Sequence, residues 1–239
     1  MKLTAYKTRV FQVKEDLPSF IKSHVPVLVN GDILVVSSKL ICLWKGCVEP
    51  YRSKKQKEQF IYQQSQAVLK TKLAYLTLKN NMVMTNAGID ESNANGYLVS
   101  LPEDVYGCAT ELRRELKKLY GLTKLGIILT DSMILPMRTG VIGAAIAYSG
   151  FKGVRDERGK KDIFGRALNT TFVNLADALA AAAAVLMGER NEQTPLCRIE
   201  QAPVQFINKT NPAEISYPPE QDLYAPLFKA VGLIKRRKK

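Results

Sequence analysis

The sequence predicts an α+β fold built on a mixed β-sheet. Residues 33–36 form a continuous apolar, β-branched run typical of a buried strand, and residues 102–119 have the capped, amphipathic pattern of a helix. The predicted helices and strands do not alternate regularly, and neither G-x-G-x-x-G nor G-x-x-x-x-G-K-[ST] occurs. We therefore expect neither a Rossmann fold nor a P-loop fold.

Composition predicts one globular domain over residues 1–234. Apolar residues make up 46% of the 239 residues, and no run approaches the roughly 18 apolar residues of a membrane span. The N-terminus lacks the apolar core of a signal peptide, so we expect a cytoplasmic protein with no membrane contact.

The net charge of +13 includes five charges from residues 235–239, which we expect to form a disordered basic tail. Such an excess suits either nucleic acid or an enzyme with anionic substrates. No nucleic-acid-binding module accompanies the charge, so nucleic acid is the less expected partner.

The first half of the chain predicts strands interrupted by short helices. Residues 2–13 alternate like a strand, and Asp16 caps a helix that runs to about His24. The strand at residues 33–36 ends in hydroxyls and a cation, which can form a phosphate contact or only a capped turn. A charged helix is expected over residues 54–70.

Two strands follow, around residues 73–76 and 82–84, and the second leads into a polar loop at residues 86–93. The amphipathic helix that opens at residues 102–104 ends at Gly121, and residues 125–129 form the next strand.

The second half contains small residues suited to close packing. Residues 140–153 are rich in glycine and alanine, which permits approach of a ligand or tight packing of strands. A helix within residues 170–187 contains five consecutive alanines and ends at Gly188, so we expect it to be buried against its neighbours. Pro195, Pro203, Pro212, Pro218 and Pro219 interrupt the region that follows, leaving a strand at residues 196–199 and a final helix at residues 222–234.

The four cysteines are scattered without a C-x-x-C pair, so neither a zinc ribbon nor a disulfide framework is expected. Asp90 and Asp131 are more informative, because each follows an apolar strand-like segment and stands near a serine. Hard cations prefer such oxygen ligands beside phosphate. For either aspartate alone, a turn in which the carboxylate accepts hydrogen bonds from its own backbone is the favoured explanation.

The segments around these aspartates resemble the coenzyme F-420:gamma-glutamyl ligase family and its relatives proposed for folate metabolism. The matching residues are 31–39, 86–90 with 92–93, 130–132, 156, 158–159, 162, 165–166, 176–177 and 187–189. Their order and spacing agree with the family from about the first strand to residues 218–224. The resemblance implies a mixed-sheet fold of two intimately packed subdomains and a homodimer. It also implies that L-glutamate is joined to an acceptor carboxylate with GTP and Mg²⁺ or Mn²⁺, through an acyl phosphate.

The resemblance also assigns residues to roles. The metal ligands it implies are Asp90, Asp131, Ser132 and Glu189. The nucleotide contacts it implies are Ser38, Lys39, Asn93, Leu186, Met187 and Gly188. Arg138, Arg158, Lys161, Asp162 and Arg166 match the segment expected to bind the substrates, where guanidinium groups grip carboxylates; a solvated loop of mixed charge is the alternative.

The chain departs from the family pattern at two places. Leu43 stands where the family has a lysine near the nucleotide, although Lys45 could reach the same phosphate, and Ile134-Leu135 replaces a Gly-Arg pair after the metal aspartate. The deazaflavin acceptor carries a phosphodiester that a pterin acceptor lacks, so the lost arginine favours a pterin or folate-type acceptor or an uncharacterised one. The alternative is a catalytically altered, nucleotide-binding relative with a regulatory role.

Overall fold

The computed structural model describes residues 1–234, which form twelve β-strands and six α-helices. The predicted basic tail at residues 235–239 lies outside the described residues. The helices are α1 Leu17–His24, α2 Ser38–Trp44, α3 Lys54–Gln63, α4 Val105–Tyr120, α5 Leu175–Met187 and α6 Ala225–Ala230. The strands are β1 Lys2–Tyr6, β2 Asp32–Ser37, β3 Val48–Pro50, β4 Ala67–Lys70, β5 Tyr75–Lys79, β6 Met82–Thr85, β7 Tyr97–Val99, β8 Leu125–Met133, β9 Ile142–Ser149, β10 Val154–Asp156, β11 Phe172–Asn174 and β12 Leu196–Glu200.

The centre of the described region is a five-stranded mixed sheet in the order β1-β12-β2-β8-β9. Strands β2 and β8 are parallel, and the other neighbours are antiparallel. Alternate residues of β2 enter two apolar clusters, with Leu34 and Val36 facing the side of α4, and Ile33 and Val35 facing the side of α5. The mixed α+β class predicted from sequence is confirmed, whereas the division into two subdomains stays a prediction.

Several predicted helix ends are confirmed. The Asp16 carboxylate accepts the N–H of Ser19 at the start of α1, and the Asp104 carboxylate accepts the N–H of Gly107 at the start of α4. Gly121 ends α4 with a φ of 67°, a backbone conformation that glycine adopts at little steric cost.

Other boundaries differ from the sequence prediction. The predicted helix at residues 54–70 ends at Gln63, and Ala67–Lys70 forms β4 because it pairs with β5. Strand β1 ends at Tyr6 instead of continuing to residue 13, and the last helix covers only Ala225–Ala230. Strand β8 extends past residue 129 to Met133 because β9 pairs with it over that length.

The alanine-rich helix α5 packs closely on β9, as expected. A side chain added to Gly143 would lie 2.5 Å from the Ala184 Cβ and 2.7 Å from the Ala180 carbonyl oxygen. Glycine on the strand and alanine on the helix therefore permit the short separation between them. This packing fixes the end of α5, where Glu189 follows, relative to the end of β8.

The remaining strands form smaller units, namely the sheet β4-β5-β6 and the pairs β3-β7 and β10-β11. The C-terminal segment, residues 202–222, is attached to the core by polar contacts. Arg113 donates to the carbonyls of Ile207 and Asn208, and the Glu214 carboxylate accepts the Tyr148 hydroxyl and the Gly153 N–H, both at 2.6 Å. Among the helices of residues 1–234, none has the length and apolar character needed to cross a bilayer.

Candidate active site

The loop that carries Asp90 is fixed by backbone contacts on both sides. The N–H and carbonyl of Asp90 both bond to Val99, at 3.1 and 2.8 Å, and form an isolated bridge. The buried Thr77 hydroxyl donates to the Met84 carbonyl and accepts the Ala87 N–H, which holds the turn just before Asp90. The Asp90 side chain is therefore presented from an ordered turn.

Asp90 has a cationic partner from another segment. Its carboxylate accepts the Lys39 ammonium and the Ser92 hydroxyl, each at 2.6 Å, and the Ser92 N–H at 2.9 Å. Burial acts to raise the pKa of Asp90, but the bonds from Lys39 and Ser92 outweigh it and keep the pKa below its ordinary value. Asp90 is consequently ionised at neutral pH.

Asp131 lies inside β8 rather than in the turn expected after it. It pairs with Ala144 of β9, and the next residue, Ser132, pairs with Gly143. Because successive residues of a strand face opposite sides, Asp131 faces the side of α4 and Ser132 faces α5. The Ser132 hydroxyl donates to the Glu189 carboxylate at 2.6 Å, just beyond the end of α5.

The Asp131 carboxyl is in a different electrostatic environment from Asp90. Burial raises its pKa to about 6, and the nearby Asp90 charge adds to the rise. The Ser132 N–H, Lys39 and Ser38 act in the opposite direction without cancelling it. A carboxylate in this state lacks sufficient positive charge around it.

Two further contacts bring these segments together. Ser37 at the end of β2 pairs with Thr130 of β8, so Ser38 and Asp131 each follow one member of this pair and lie at the same level of the sheet. The Asn93 amide donates to the Arg190 carbonyl at 2.9 Å and ties the Asp90 loop to the chain after Glu189. We call Lys39, Asp90, Asp131, Ser132 and Glu189 the acidic corner.

The donors of the acidic corner fit a hard divalent cation in kind. They are carboxylate and hydroxyl oxygens, the ligands that Mg²⁺ and Mn²⁺ prefer. Among residues 1–234, however, no three acidic, cysteine or histidine side chains are close enough together to hold one ion. A cation at Asp90 would also compete with the Lys39 ammonium.

The predicted nucleotide contacts lie around the acidic corner. Ser38 is buried in the first turn of α2, and Lys39 follows it. At the other side, Met187 is buried while Leu186 is exposed, and Gly188 ends α5 with a φ of 74°. Two of the three predicted nucleotide segments, residues 38–39 and 186–188, therefore border the carboxylates. The third, Asn93, contacts the Arg190 backbone just after Glu189.

The predicted substrate residues lie elsewhere in the fold. Arg138 is exposed in the loop between β8 and β9. The other four belong to the hairpin of β10 and β11, where Arg158 pairs with Asp156 at 2.7 Å and stacks on Phe172. Asp162 accepts the Phe164 and Arg166 N–H groups, and Lys161 bridges to Ala167. Their contacts are thus internal to the hairpin, and a role in substrate binding stays a prediction.

The two departures from the family pattern have separate structural outcomes. Leu43 packs against the apolar cluster under α4. Lys45 donates to Glu111 at 2.6 Å and stacks on Trp44, so its ammonium is engaged with α4 rather than with the acidic corner. Leu135, at the other departure, lines a cavity.

This cavity has a volume of about 690 Å³ and lies next to the acidic corner. It is lined by β6, the start of α4, the end of β8, the start of β9 and the C-terminal segment. Ala144 lines the cavity and is the cross-strand partner of Asp131. The sequence does not predict this cavity, because its walls come from segments far apart in the chain. The signals it offered were Leu135, the small residues at 140–153 and Asp177.

Comparison with known proteins identifies the family. The model of the F420-0:Gamma-glutamyl ligase family matches residues 6–201. The coenzyme F420:L-glutamate ligase of Methanococcus maripaludis is 43% identical over 146 residues, which cover 61% of this chain and 58% of the relative. The chain thus spans little more than half the length of that relative.

Two other relatives match over more of their length. The coenzyme F420:L-glutamate ligase of Methanocaldococcus jannaschii is 34% identical over 213 residues, covering 82% of this chain and 85% of the relative. That of Archaeoglobus fulgidus is 36% identical over 200 residues, covering 76% and 79%. The chain belongs to the F420-0:gamma-glutamyl ligase family.

Proposed function

We propose that this chain is a γ-glutamyl ligase that joins the amine of L-glutamate to an acceptor carboxylate, with GTP and Mg²⁺ or Mn²⁺. The observation that carries the proposal is the acidic corner, in which Lys39 bonds to Asp90 and Ser132 bonds to Glu189 between separate segments of a chain of this family. Oxygen donors beside a lysine suit the binding of a metal-complexed phosphate.

The chemistry requires activation of a poor electrophile. The γ-phosphoryl group is transferred to the acceptor carboxylate, and the glutamate amine then displaces phosphate from the acyl phosphate. Divalent cations would neutralise the negative charge that accumulates as the two anions approach each other. Asp90, Asp131, Ser132 and Glu189 would hold these cations. Lys39 supplies a fixed positive charge beside Asp90, and the Ser38 hydroxyl lies at the same end of β2.

The acceptor is the finer part of the proposal. The relatives are named for coenzyme F420, which favours a deazaflavin acceptor. Leu135 stands in place of the family arginine, and the cavity lining within residues 1–234 includes neither lysine nor arginine. Both features favour an acceptor without a phosphodiester, such as a pterin of folate type. We propose the pterin-type acceptor as the one to be tested against the deazaflavin.

Purified protein supplied with GTP, Mn²⁺, L-glutamate and each acceptor provides the test. We expect GDP release that requires both glutamate and an acceptor, with mass spectrometry detecting the acceptor plus one glutamate. Release that is independent of acceptor, or absent under all conditions, contradicts the ligase proposal. Faster turnover of the deazaflavin than of a dihydropteroate-type acid contradicts the pterin-type assignment alone.

A second candidate function is a nucleotide-binding regulator. It is favoured by Leu43, which packs in the core, and by Lys45, which pairs with Glu111 rather than extending to the acidic corner. Binding of GTP without turnover, measured by calorimetry, would support this function over the ligase.

Unchanged activity after deletion of residues 235–239 would exclude a role that depends on the basic tail.

We also propose a homodimer, supported by large apolar side chains exposed in the described chain. Met137, Ile163 and Phe164 have exposed fractions of about 90% or more. Exposed apolar groups of this size commonly mark an association surface. Analytical ultracentrifugation of Phe164→Glu beside the parent protein provides the test, and a parent protein that sediments as a monomer contradicts the proposal.

A further inference from the structure

The cavity beside the acidic corner has properties that define its ligand. Its volume of about 690 Å³ lies within the range of small-molecule sites, roughly 300–1,000 Å³. Met82, Met133 and Ile142 contribute apolar surface, and Tyr106 and Tyr217 contribute aromatic rings. Methionine and aromatic side chains of this kind pack well against a flat ring.

The charged side chains that line the cavity within residues 1–234 are all acidic. Glu103, Asp104, Asp177 and Asp222 supply carboxylates, and within residues 1–234 no lysine or arginine lines the cavity. A protein with net charge +13 therefore has here a locally acidic pocket. Such a pocket disfavours phosphate or carboxylate groups and favours a ligand that carries N–H donors.

The position of the cavity connects it to the reaction centre. Ala144 lines the cavity and is paired with Asp131, and Met133 is two residues beyond Asp131 on the same face of β8. Residues directly opposite on antiparallel strands have Cα atoms about 4.5–5.5 Å apart. A ligand in the cavity can therefore extend its anionic end to the acidic corner while its uncharged end stays among the apolar groups.

One wall of the cavity comes from a part of the chain that the family model does not match. The match to the family model ends at residue 201, whereas Pro212, Ser216 and Tyr217 of the C-terminal segment line the cavity. Glu214 and Arg113 attach this segment to the core through the contacts described above. Residues outside the region matched by the family model therefore determine part of the shape of the cavity.

We propose that this cavity binds the planar, N–H-bearing heteroaromatic ring of the acceptor, and that the C-terminal segment selects which ring is accepted. The proposal rests on the ligase function only in taking the ligand to be the acceptor of the reaction. Binding of the ring itself can be measured without turnover. Pteroic acid and 5-deazariboflavin are suitable probes, since both carry a planar N–H ring system and neither carries a phosphodiester.

Ser216→Trp tests the proposal by filling the cavity. Ser216 is half-buried in the lining, whereas Leu73, 96% exposed in the turn between β4 and β5, offers a matched Leu73→Trp control outside it. Binding is followed by probe fluorescence with no GTP or glutamate present. We expect at least one probe to bind the parent, Leu73→Trp to bind equally, and Ser216→Trp to bind at least about tenfold more weakly.

Glu103→Gln provides a second variant that leaves packing unchanged, because the Glu103 side chain is exposed at the cavity. We expect it to weaken the preferred probe by about threefold to tenfold through loss of a charged acceptor. Circular dichroism and GTP binding verify that each variant is folded.

The outcomes separate the two proposals. Failure of both probes to bind the parent, or equal binding by Ser216→Trp and the parent, overturns the ring site. Weakened binding in Ser216→Trp without any glutamate-dependent turnover supports the ring site while contradicting the ligase. Turnover with an acceptor KM that is unchanged in Ser216→Trp supports the ligase and overturns the ring site.

Discussion

Asp90 and Asp131 have similar sequence contexts but opposite environments. Each follows an apolar segment and has a serine within two residues. Lys39 and Ser92 bond to Asp90 and lower its pKa, whereas burial and the charge of Asp90 raise the pKa of Asp131 to about 6. The comparison teaches that sequence context places a carboxylate, but a cation from a distant segment decides how it ionises.

The largest effect is expected from Asp131→Asn. Asp131 is the carboxylate with the greater need for positive charge, so its loss should lower glutamate-dependent GDP release by at least about 100-fold while the fold is retained. Asp16→Asn is the matched control, because asparagine also caps a helix well and the Asp16 carboxylate bonds to Ser19 of α1 rather than to the acidic corner. Similar activity in the two variants would remove Asp131 from the site.

A smaller effect is expected from Lys39→Met. Removal of the ammonium deprives Asp90 of its partner, and turnover should fall by about tenfold, with the pKa of Asp90 rising toward its ordinary value. Lys45→Met serves as control, since that lysine pairs with Glu111 on α4. Steady-state kinetics measure both variants, and an equal loss in the control would contradict a specific role for Lys39.

The stability of the metal-free protein provides a third comparison. The pKa of Asp131 is about 6 in the folded state against an ordinary value of 3.8, so the folded state binds more protons between these values and stability falls as pH rises through them. At pH 7 the full cost is present. Because the residue is half-buried, we expect Asp131→Asn to raise the free energy of unfolding by about 1–2 kcal/mol.

Asp90→Asn should behave in the opposite sense. The pKa of Asp90 is lowered in the folded state, so its contribution is present above the ordinary pKa and is lost as pH falls through the folded value. Its side chain is 41% exposed, and we expect a loss of only about 0.5 kcal/mol at pH 7. Urea unfolding at pH 7 and pH 4 with EDTA measures both variants; a gain for Asp131→Asn that persists at pH 4 would contradict the linkage.

The smallest effect is expected from Ser92→Ala. Ser92 contributes a hydroxyl bond to Asp90, but Lys39 and the Ser92 backbone N–H would still bond to the carboxylate. We expect a loss of stability of about 0.5 kcal/mol and turnover within about twofold of the parent. A loss of activity as large as that of Lys39→Met would show that the hydroxyl, not the ammonium, determines the state of Asp90.

Local signals predicted the ends of elements where capping residues act alone. Asp104 and Gly121 delimit α4 in the structure as they do in the sequence pattern. Pairing with distant strands could not be read in the same way. The predicted helix at residues 54–70 ends early because Ala67–Lys70 pairs with β5, and β8 continues through Asp131 because β9 pairs with it.

The local context of Asp90 and Asp131 suggested a cation site, but only the family resemblance could combine the residues of the acidic corner, which are up to 150 positions apart, from Lys39 to Glu189. The resemblance predicted which segments carry oxygen donors. It did not predict that Lys39 bonds to Asp90 or that Ser132 bonds to Glu189, because those contacts depend on side-chain directions at strand and helix ends. The hairpin residues from Arg158 to Arg166 make contacts with one another instead.

Arg113 has a practical consequence for experiments on truncated proteins. Arg113 is only 7% exposed, and its guanidinium donates to the carbonyls of Leu125, Ile207 and Asn208. A chain cut before residue 207 would remove two of these three acceptors, at a cost of about 1–3 kcal/mol. Removing the C-terminal wall by truncation would therefore damage the core beneath α4 as well, so point substitutions are the sounder means of altering ligand selection.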